Sequence, residues 1–189
     1  EVLSSAERFD PASGAWGALM PMSRRRSAAA TAVAGERLYV CGGSDGEEVL
    51  SSAERFNPVS DAWEALPPMS QRRRDVHAAV ISGCLYVCGG YDGEAALCSA
   101  ERFNPVAEAW EPLPALLRPR LGATAAVVAG RLHICGGVGS QEVLSSAERF
   151  DPASGTWEAL PPTSRPRQYA AMAVFSGEAL PQALHQTTL

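Results

Sequence analysis

The sequence predicts an all-β protein built from one repeated unit, and three observations support this prediction. An adjacent glycine pair recurs three times at a spacing of 47 residues, and tryptophan recurs four times at the same spacing. No window sustains the helical hydrophobic period over about eleven residues. Short β-branched and aromatic segments fill each unit, and Gly, Pro, Asn and Asp bound them. The repeated positions are Gly42 and Gly43, Gly89 and Gly90, Gly136 and Gly137, and Trp16, Trp63, Trp110 and Trp157.

Each unit is predicted to contain four short strands. In one copy these are residues 28–34, 37–43, 51–57 and 62–66, separated by turn residues and closed by two prolines. Four strands at this period are typical of a β-propeller blade, whose faces are covered by the neighbouring blades. The tryptophan, apolar but with one polar N–H, suits a seam between blades. The glycine pair ends the second strand, where a bend or a close backbone approach is expected.

The repeat covers residues 1–177, and the last twelve residues, 178–189, depart from it. We expect three full four-stranded blades with partial blades at both ends, which is an incomplete propeller. A first strand is predicted at 170–177, but no second strand with a glycine pair follows it, which argues against a closed ring of four blades. The predicted divisions are a partial unit 1–22, full units 23–69, 70–116 and 117–163, and a partial unit 164–177.

Composition restricts the class of protein. A net charge of −5 and a pI of about 5.2 argue against a nucleic-acid partner. No apolar run reaches the roughly 18 residues of a membrane span, so no membrane partner is expected. Five cysteines without a secretory leader favour a reducing compartment, the cytoplasm or alternatively the nucleus. We expect no cofactor and no metal, because Cys84 and Cys88 lack two further ligands nearby.

Residues 42–63, GGSDGEEVLSSAERFNPVSDAW, resemble the kelch repeat. The style of the units is similar to the kelch-like proteins, in which a BTB domain and a helical linker precede a kelch propeller. That resemblance implies a substrate adaptor of a cullin-RING ubiquitin ligase, with the cullin held through an N-terminal region that this sequence lacks. Such propellers usually have about six blades, so about two blades are expected to be missing here.

Strand order predicts where a partner would bind. Because successive strands run antiparallel, the loops at 43–50 and the links at 67–75 lie on one face, with their copies in the other units. We call this the long-loop face. The tight turns at 34–36 and 57–61 lie on the opposite, short-turn face. Long loops on a rigid scaffold usually carry the binding residues, which favours the long-loop face.

All sixteen basic residues are arginine, and ten of them lie in the links between units. Four share one register, 17 residues before the second glycine of each pair, and should lie at the inner rim. Two roles are open for these four: bracing a blade through loop carbonyls or a neighbouring glutamate, or, as the kelch-like resemblance implies, contacting acidic peptides. The in-register four are Arg26, Arg73, Arg120 and Arg167, and the other candidate binding residues are Arg25, Arg72, Ser44, Asp45, Tyr91 and Asp92.

The sequence thus favours a protein-recognition module that binds a substrate protein, with an acidic peptide motif as a candidate ligand. The alternative is an actin-binding or other cytoskeletal scaffold, because some kelch proteins bind actin. An enzyme is disfavoured, and no catalytic residues are predicted. The units are nearly interchangeable, since residues 1–16 recur at 142–157 with one change, whereas catalysis normally depends on residues that occur once.

Overall fold

A computed structural model describes residues 2–174 of the chain. These residues form fourteen strands of five residues each, paired antiparallel into three four-stranded sheets and one two-stranded sheet. No helix occurs among them. Each four-stranded sheet is one blade, in which the strands pair in chain order. The first strands of neighbouring blades contact one another, which places them nearest the axis.

The strands follow the predicted order. The N-terminal hairpin comprises β1 (Ala6–Asp10) and β2 (Ala15–Leu19). Blade 1 comprises β3 (Ala30–Ala34), β4 (Arg37–Cys41), β5 (Ala53–Asn57) and β6 (Ala62–Leu66). Blade 2 comprises β7 (His77–Ile81), β8 (Cys84–Cys88), β9 (Ala100–Asn104) and β10 (Ala109–Leu113). Blade 3 comprises β11 (Thr124–Val128), β12 (Arg131–Cys135), β13 (Ala147–Asp151) and β14 (Thr156–Leu160).

The ends of the strands differ from the sequence prediction at special backbone positions. β3 begins two residues later than predicted, after Ala28, whose φ is 53°. β4 ends at Cys41, because Gly42 and Gly43 have φ values of 67° and 91° that leave the extended region. Residues 170–174 of the predicted strand 170–177 are not in a strand, and residues 175–177, with the tail 178–189, lie outside the described residues.

The apolar core lies between blades rather than within one sheet. One cluster fills the seam between blades 1 and 2, and a second fills the seam between blades 2 and 3. The ring of Tyr39 in blade 1 lies 6.1 Å from the ring of Phe103 in blade 2. Tyr86 and Phe150 repeat this contact at 6.2 Å across the next seam. Each blade therefore depends on its neighbour for burial of its faces.

A buried arginine connects consecutive blades. The guanidinium of Arg73 donates hydrogen bonds to the carbonyl of Gly89 at 2.8 Å, to Ser99 and to Glu101. Its own carbonyl accepts the N–H of Gly43, in the preceding blade, at 2.7 Å. Arg73 is 0% exposed. In blade 1, Arg26 donates in the same way to Gly42, Ser52 and Glu54. In blade 3, Arg120 donates to Gly136, Ser146 and Glu148. We call this arrangement the arginine bridge.

The carboxylate of each bridge is also buried and fully engaged. Glu101 is 2% exposed, and it accepts the N–H of Ser70 at 2.9 Å besides the guanidinium of Arg73. In blade 1, burial raises the pKa of the equivalent Glu54, but hydrogen bonds from the Ser23 N–H and the Arg26 guanidinium together outweigh burial. The pKa of Glu54 therefore lies below its ordinary value, so this carboxylate stays ionised at neutral pH.

The glycine pairs are required by close approach as well as by backbone conformation. A Cβ on Gly89 would lie 2.4 Å from the carbonyl oxygen of Arg120. A Cβ on Gly90 would lie 2.8 Å from the carbonyl oxygen of Arg74, at a φ of 94°. Gly83, in a turn, also has a positive φ of 79° but has nothing within 4 Å. The first glycine thus leaves room for the arginine backbone of the next link, and the second leaves room for the link that precedes its own blade.

The tryptophans join each blade to the link before it. Their indole N–H groups donate to link carbonyls, from Trp63 to Met20, from Trp110 to Pro67 and from Trp157 to Pro114, at 2.8–2.9 Å. Trp16 departs from the expected seam position, because it is 68% exposed. No other described strand contacts β1 or β2, so Trp16 and the neighbouring Phe9 have no blade against them.

Replacing Arg73 by alanine is predicted to destabilise the protein strongly. The substitution leaves Glu101 buried without its cation, which typically costs about 3–5 kcal/mol. Arg72→Ala is the matched control, since this neighbouring side chain is 50% exposed, and it should change stability by less than about 0.5 kcal/mol. Denaturant unfolding measures both values. Equal stability of the two variants would show that the arginine bridge contributes nothing.

Gly90→Ala is predicted to cost more than Gly83→Ala. Both substitutions place alanine in a left-handed conformation, at about 1–2 kcal/mol each. Only the alanine at residue 90 also meets a backbone carbonyl, which adds about 1–3 kcal/mol. The same unfolding experiment separates the two terms, and similar losses would mean that close approach is not the constraint.

Candidate partner-binding face

The structure places the long loops and the links together on one face. The N–H groups of Met69 and Arg73, in a link, donate to the carbonyls of Ser51 and Leu50, beside the preceding long loop. The tight turns gather on the opposite face, where a groove of about 910 Å³ lies between blades 1 and 2. The ranges that line this groove are 34–37, 57–59, 82–84 and 104–106.

Three of the four in-register arginines cannot contact a partner, which corrects their assignment as binding residues. Arg26, Arg73 and Arg120 are 7%, 0% and 2% exposed. Their guanidinium groups turn inward to a glutamate 28 residues further along the chain, in the same blade. The bracing role applies to these three. Arg167 is exposed, and no described glutamate is paired with it.

The other arginines of the links remain at the surface. Arg25 and Arg72 are exposed. Arg72 lies 3.0 Å from Glu94. One position earlier in the repeat, Arg24 and Arg118 pair with Glu48 and Glu142 at 3.0 and 3.3 Å. Exposed pairs of this kind contribute little to stability. They leave the long-loop face with mixed charge.

The predicted residues Ser44, Asp45 and Asp92 shape the long loops. One carboxylate oxygen of Asp45 accepts the N–H groups of Glu47 and Glu48 at 3.0 and 2.9 Å, and Asp92 does the same for the two residues that follow Gly93. These backbone hydrogen bonds lower the pKa of both aspartates. The hydroxyl of Ser44 accepts the N–H of Gly46. All three are half-buried, so they also present some surface.

One pair of positions differs between blades although its geometry is constant. In each blade a link residue and the residue after the glycine pair form an isolated antiparallel bridge, with N–H to carbonyl distances of 2.8–2.9 Å. The side chains are half-buried at the long-loop face. The pairs are Ser27 with Ser44, Arg74 with Tyr91, and Leu121 with Val138. The backbone geometry is therefore repeated, while the side chains of the pair are polar in blade 1, cationic and aromatic in blade 2, and apolar in blade 3.

The antiparallel pair of Arg74 and Tyr91 in blade 2 forms the centre of a side-chain cluster that the other blades do not repeat. The guanidinium of Arg74 lies 5.0 Å from the ring centre of Tyr91, and 3.5 Å from Asp75. The ring of Tyr169 lies against Gly122, where a Cβ would come within 2.8 Å of it. Partial burial and the charge of Asp75 raise the pKa of Tyr169, which is still 62% exposed. We call Arg74, Asp75, Tyr91 and Tyr169 the Arg74 cluster.

A line of backbone hydrogen bonds holds this cluster across three blades. The residue after each variable link position has a left-handed φ of 51–58°, although three of the four are not glycine. The second, third and fourth of these residues each donate the N–H to the carbonyl of the previous one, at 2.8–3.0 Å. The four are Ala28, Asp75, Gly122 and Tyr169. Non-glycine residues in this conformation are strained and are often found at functional sites.

Sequence reasoning included Tyr91 but did not select Arg74, Asp75 or Tyr169. A usable signal was present within the chain itself. At the positions of Arg74 and Asp75, the four copies read Ser, Arg, Leu, Gln and Ala, Asp, Gly, Tyr, whereas the position before them is arginine in all four. Variation inside a repeated scaffold indicates a contact surface, and the search for shared arginines overlooked it.

The cysteines form no disulfide among the described residues. All five are free, and burial raises the pKa of Cys41 and Cys88 to about 12, so both stay protonated. Within residues 2–174 no group of three or more His, Cys, Asp or Glu side chains is placed to hold a metal ion. The described residues also include no helix long and apolar enough to cross a membrane.

Comparisons with known proteins agree with the observed architecture. No curated protein matches the chain. A solved structure titled "Structure of YjhT" superposes with a TM-score of 0.71 at 17% identity, covering 88% of this chain and 67% of that one. At this identity the likeness shows the fold alone. The Kelch motif matches residues 25–70, 72–117 and 119–164, one match to each blade, and the chain belongs to this family of repeat β-propellers.

Proposed function

We propose that the long-loop face binds a partner protein, with the Arg74 cluster at the centre of the contact. Kelch repeats generally mediate protein–protein interaction. One observation carries the choice of site. The antiparallel pairs formed by a link residue and the residue after each glycine pair change in side-chain chemistry from blade to blade, while their backbone geometry stays constant. A rigid scaffold whose blades differ only in the side chains presented at the long-loop face is suited to recognising a partner.

The chemistry of the cluster indicates the class of ligand. Arginine and tyrosine are the residues that most often dominate the energy of protein interfaces. Arg72 is paired with Glu94 at 3.0 Å, whereas Arg74 has only the longer contact with Asp75, at 3.5 Å, and a guanidinium carries further donors that suit a carboxylate of a ligand. The next blade contributes the apolar pair Leu121 and Val138. The ligand we propose is a peptide segment with an acidic residue followed by an apolar one.

The wider role we propose is that of a non-catalytic substrate adaptor for a cullin-RING ubiquitin ligase, acting in the cytoplasm. This role rests on the resemblance of the units to kelch-like proteins and on the partner-binding site proposed at the Arg74 cluster of the long-loop face. In this proposal the cullin is held by a region outside residues 1–189. The propeller supplies only the choice of substrate.

Tyr91→Ala and Arg74→Ala are predicted to reduce partner capture by about tenfold or more, because each removes a central contact. The natural full-length protein and its variants would be expressed in cells, and bound proteins quantified by mass spectrometry. Val106→Ala is the matched control, since Val106 is 95% exposed on the short-turn face. Partners lost equally from all three variants, or from none, would contradict the assignment of the site.

The same captures test the adaptor role separately. A cullin should be recovered with every variant, including Tyr91→Ala, since its contact lies outside the propeller. Absence of any cullin would contradict the adaptor role and leave partner binding intact. Recovery of actin in its place would favour the cytoskeletal alternative.

A further inference from the structure

The long loop of blade 3 lacks an acidic side chain that the other two long loops contain. Asp45 and Asp92 occupy the second position after the glycine pair in blades 1 and 2, whereas Gly139 occupies this position in blade 3. The backbone closes all three loops in the same way, because the N–H at this position donates to the carbonyl three residues later, at 2.9–3.3 Å. Ser140 then replaces a glycine whose φ is 99° or 105° in the other blades, without breaking this hydrogen bond. Blade 3 therefore keeps the closure of the loop without the carboxylate.

Blade 1 shows how a carboxylate is held at this position. One oxygen of Asp45, Oδ1, accepts the backbone N–H groups of Glu47 and Glu48 at 3.0 and 2.9 Å. The other oxygen, Oδ2, lies 3.4 Å from Nη1 of Arg24 in the link. The side chain of Glu48 also pairs with Arg24, at 3.0 Å, so this pair and the aspartate contact coexist. Two backbone donors and one guanidinium thus surround a single carboxylate.

The same three donors recur in blade 3. They are the guanidinium of Arg118 and the backbone N–H groups of Gln141 and Glu142, each two repeats after its counterpart in blade 1. Within residues 2–174, neither N–H is donated to another group, whereas the counterparts in blades 1 and 2 are donated to an aspartate. Arg118 pairs with Glu142 at 3.3 Å, as Arg24 does with its own glutamate. Blade 3 thus has the donors of a carboxylate site without a described carboxylate that uses the two N–H groups.

A cavity of about 560 Å³ opens at this place. Its lining includes all three donor residues, together with Pro119 and Gly139. Neither backbone conformation nor crowding requires a glycine here. The φ of Gly139 lies outside the left-handed region, and a Cβ would make ordinary contacts, 3.4 Å from Leu144 and 3.6 Å from the carbonyl oxygen of Pro119. The absence of a side chain therefore leaves space that an acidic group from another molecule can occupy.

We propose that this cavity binds an aspartate side chain of a partner protein, which takes the place of the missing aspartate. One oxygen of the incoming carboxylate accepts the N–H groups of Gln141 and Glu142, and the other contacts Arg118. We call these three donors the blade 3 carboxylate site. Charge-assisted hydrogen bonds and the forked donors of arginine favour a carboxylate over a neutral amide. The site includes no residue of the Arg74 cluster, so this inference does not rest on the function proposed above.

Titration of the isotope-labelled chain with N-acetyl-aspartic acid α-amide, followed by NMR, tests this site. The amide signals of Gln141 and Glu142 should shift saturably, with a dissociation constant in the millimolar range, because one carboxylate makes few contacts. The matched neutral probe, N-acetyl-asparagine amide, should bind about tenfold more weakly, since it lacks the charge. Acetate should also bind more weakly than the aspartyl probe, because it lacks the peptide groups. Tighter binding of acetate would contradict the choice of a protein side chain as ligand.

Gly139→Asp gives the chain its own carboxylate at this position and should close the site. The shifts that the aspartyl probe causes should disappear, and the thermal midpoint should rise by about 2–4 °C, because two backbone donors gain an acceptor. Gly139→Ala is the matched control, since it adds a Cβ without a carboxylate, and it should bind the probe like the wild type. Arg118→Ala should weaken binding of the probe by about fivefold, because it removes the guanidinium contact.

The proposal would be overturned by equal binding of the aspartyl and asparaginyl probes, or by equal binding to Gly139→Asp and Gly139→Ala. Unchanged amide signals of Gln141 and Glu142 in the wild-type titration would overturn it as well. Arg74→Ala separates this site from the function proposed above, and it should leave the shifts at Gln141 and Glu142 intact. Loss of those shifts in Arg74→Ala would place the probe at the Arg74 cluster and overturn the blade 3 carboxylate site.

Discussion

The arginine bridge is the interaction on which the rest of this structure depends. One residue of each link inserts a planar guanidinium beneath a glycine pair, and its own carbonyl accepts an N–H from the pair before it. The fork of donors in arginine suits this arrangement, whereas the single ammonium of lysine could not reach a glycine carbonyl, a serine and a carboxylate together. Among the described residues no buried side-chain nitrogen or oxygen lacks a hydrogen-bond partner.

This network explains why several features of the sequence repeat as a group. The glycine pair must leave room for the next arginine backbone, and the serine and glutamate must receive the guanidinium of their own blade. A change in any one of them disturbs the others. The antiparallel pair of Arg74 and Tyr91 and its copies in the other blades lie beside this network and are free of this constraint, since their backbone hydrogen bonds form with different side chains in each blade. Arg74 and Tyr91 can therefore serve recognition without weakening the scaffold.

Spacing alone predicted the strand order, the turns and the two faces. These features depend on local residue chemistry, and each copy of the unit repeats the same information. The environment of the arginines was not predictable in this way. Arg73 lies at the long-loop end of the seam, but whether its side chain turns outward or inward depends on Glu101, two strands further on. The sequence left two roles open for this arginine, bracing a blade or contacting a partner. The pairing of strands, which brings Glu101 to Arg73, decides for the bracing role.

Position within the array also changes what a repeated residue does. Trp16 and Trp63 have similar local sequences, but among the described residues only Trp63 of the two donates its indole N–H, to the carbonyl of Met20. In the same way Arg167 is exposed whereas Arg120 is buried. The backbone N–H of Tyr169 donates to the carbonyl of Gly122, a contact between units that no local pattern reveals, and this contact brings the side chain of Tyr169 to the Arg74 cluster.

Hydrogen exchange in the Arg73→Ala variant tests the central claim most directly. The side chain of Arg73 bonds only within blade 2, while its carbonyl bonds Gly43 of blade 1. If the bridge couples the blades, amides of β4 in blade 1 and β8 in blade 2 should lose protection together, with the N–H of Gly43 among the most affected. Loss of protection confined to blade 2 would contradict the account.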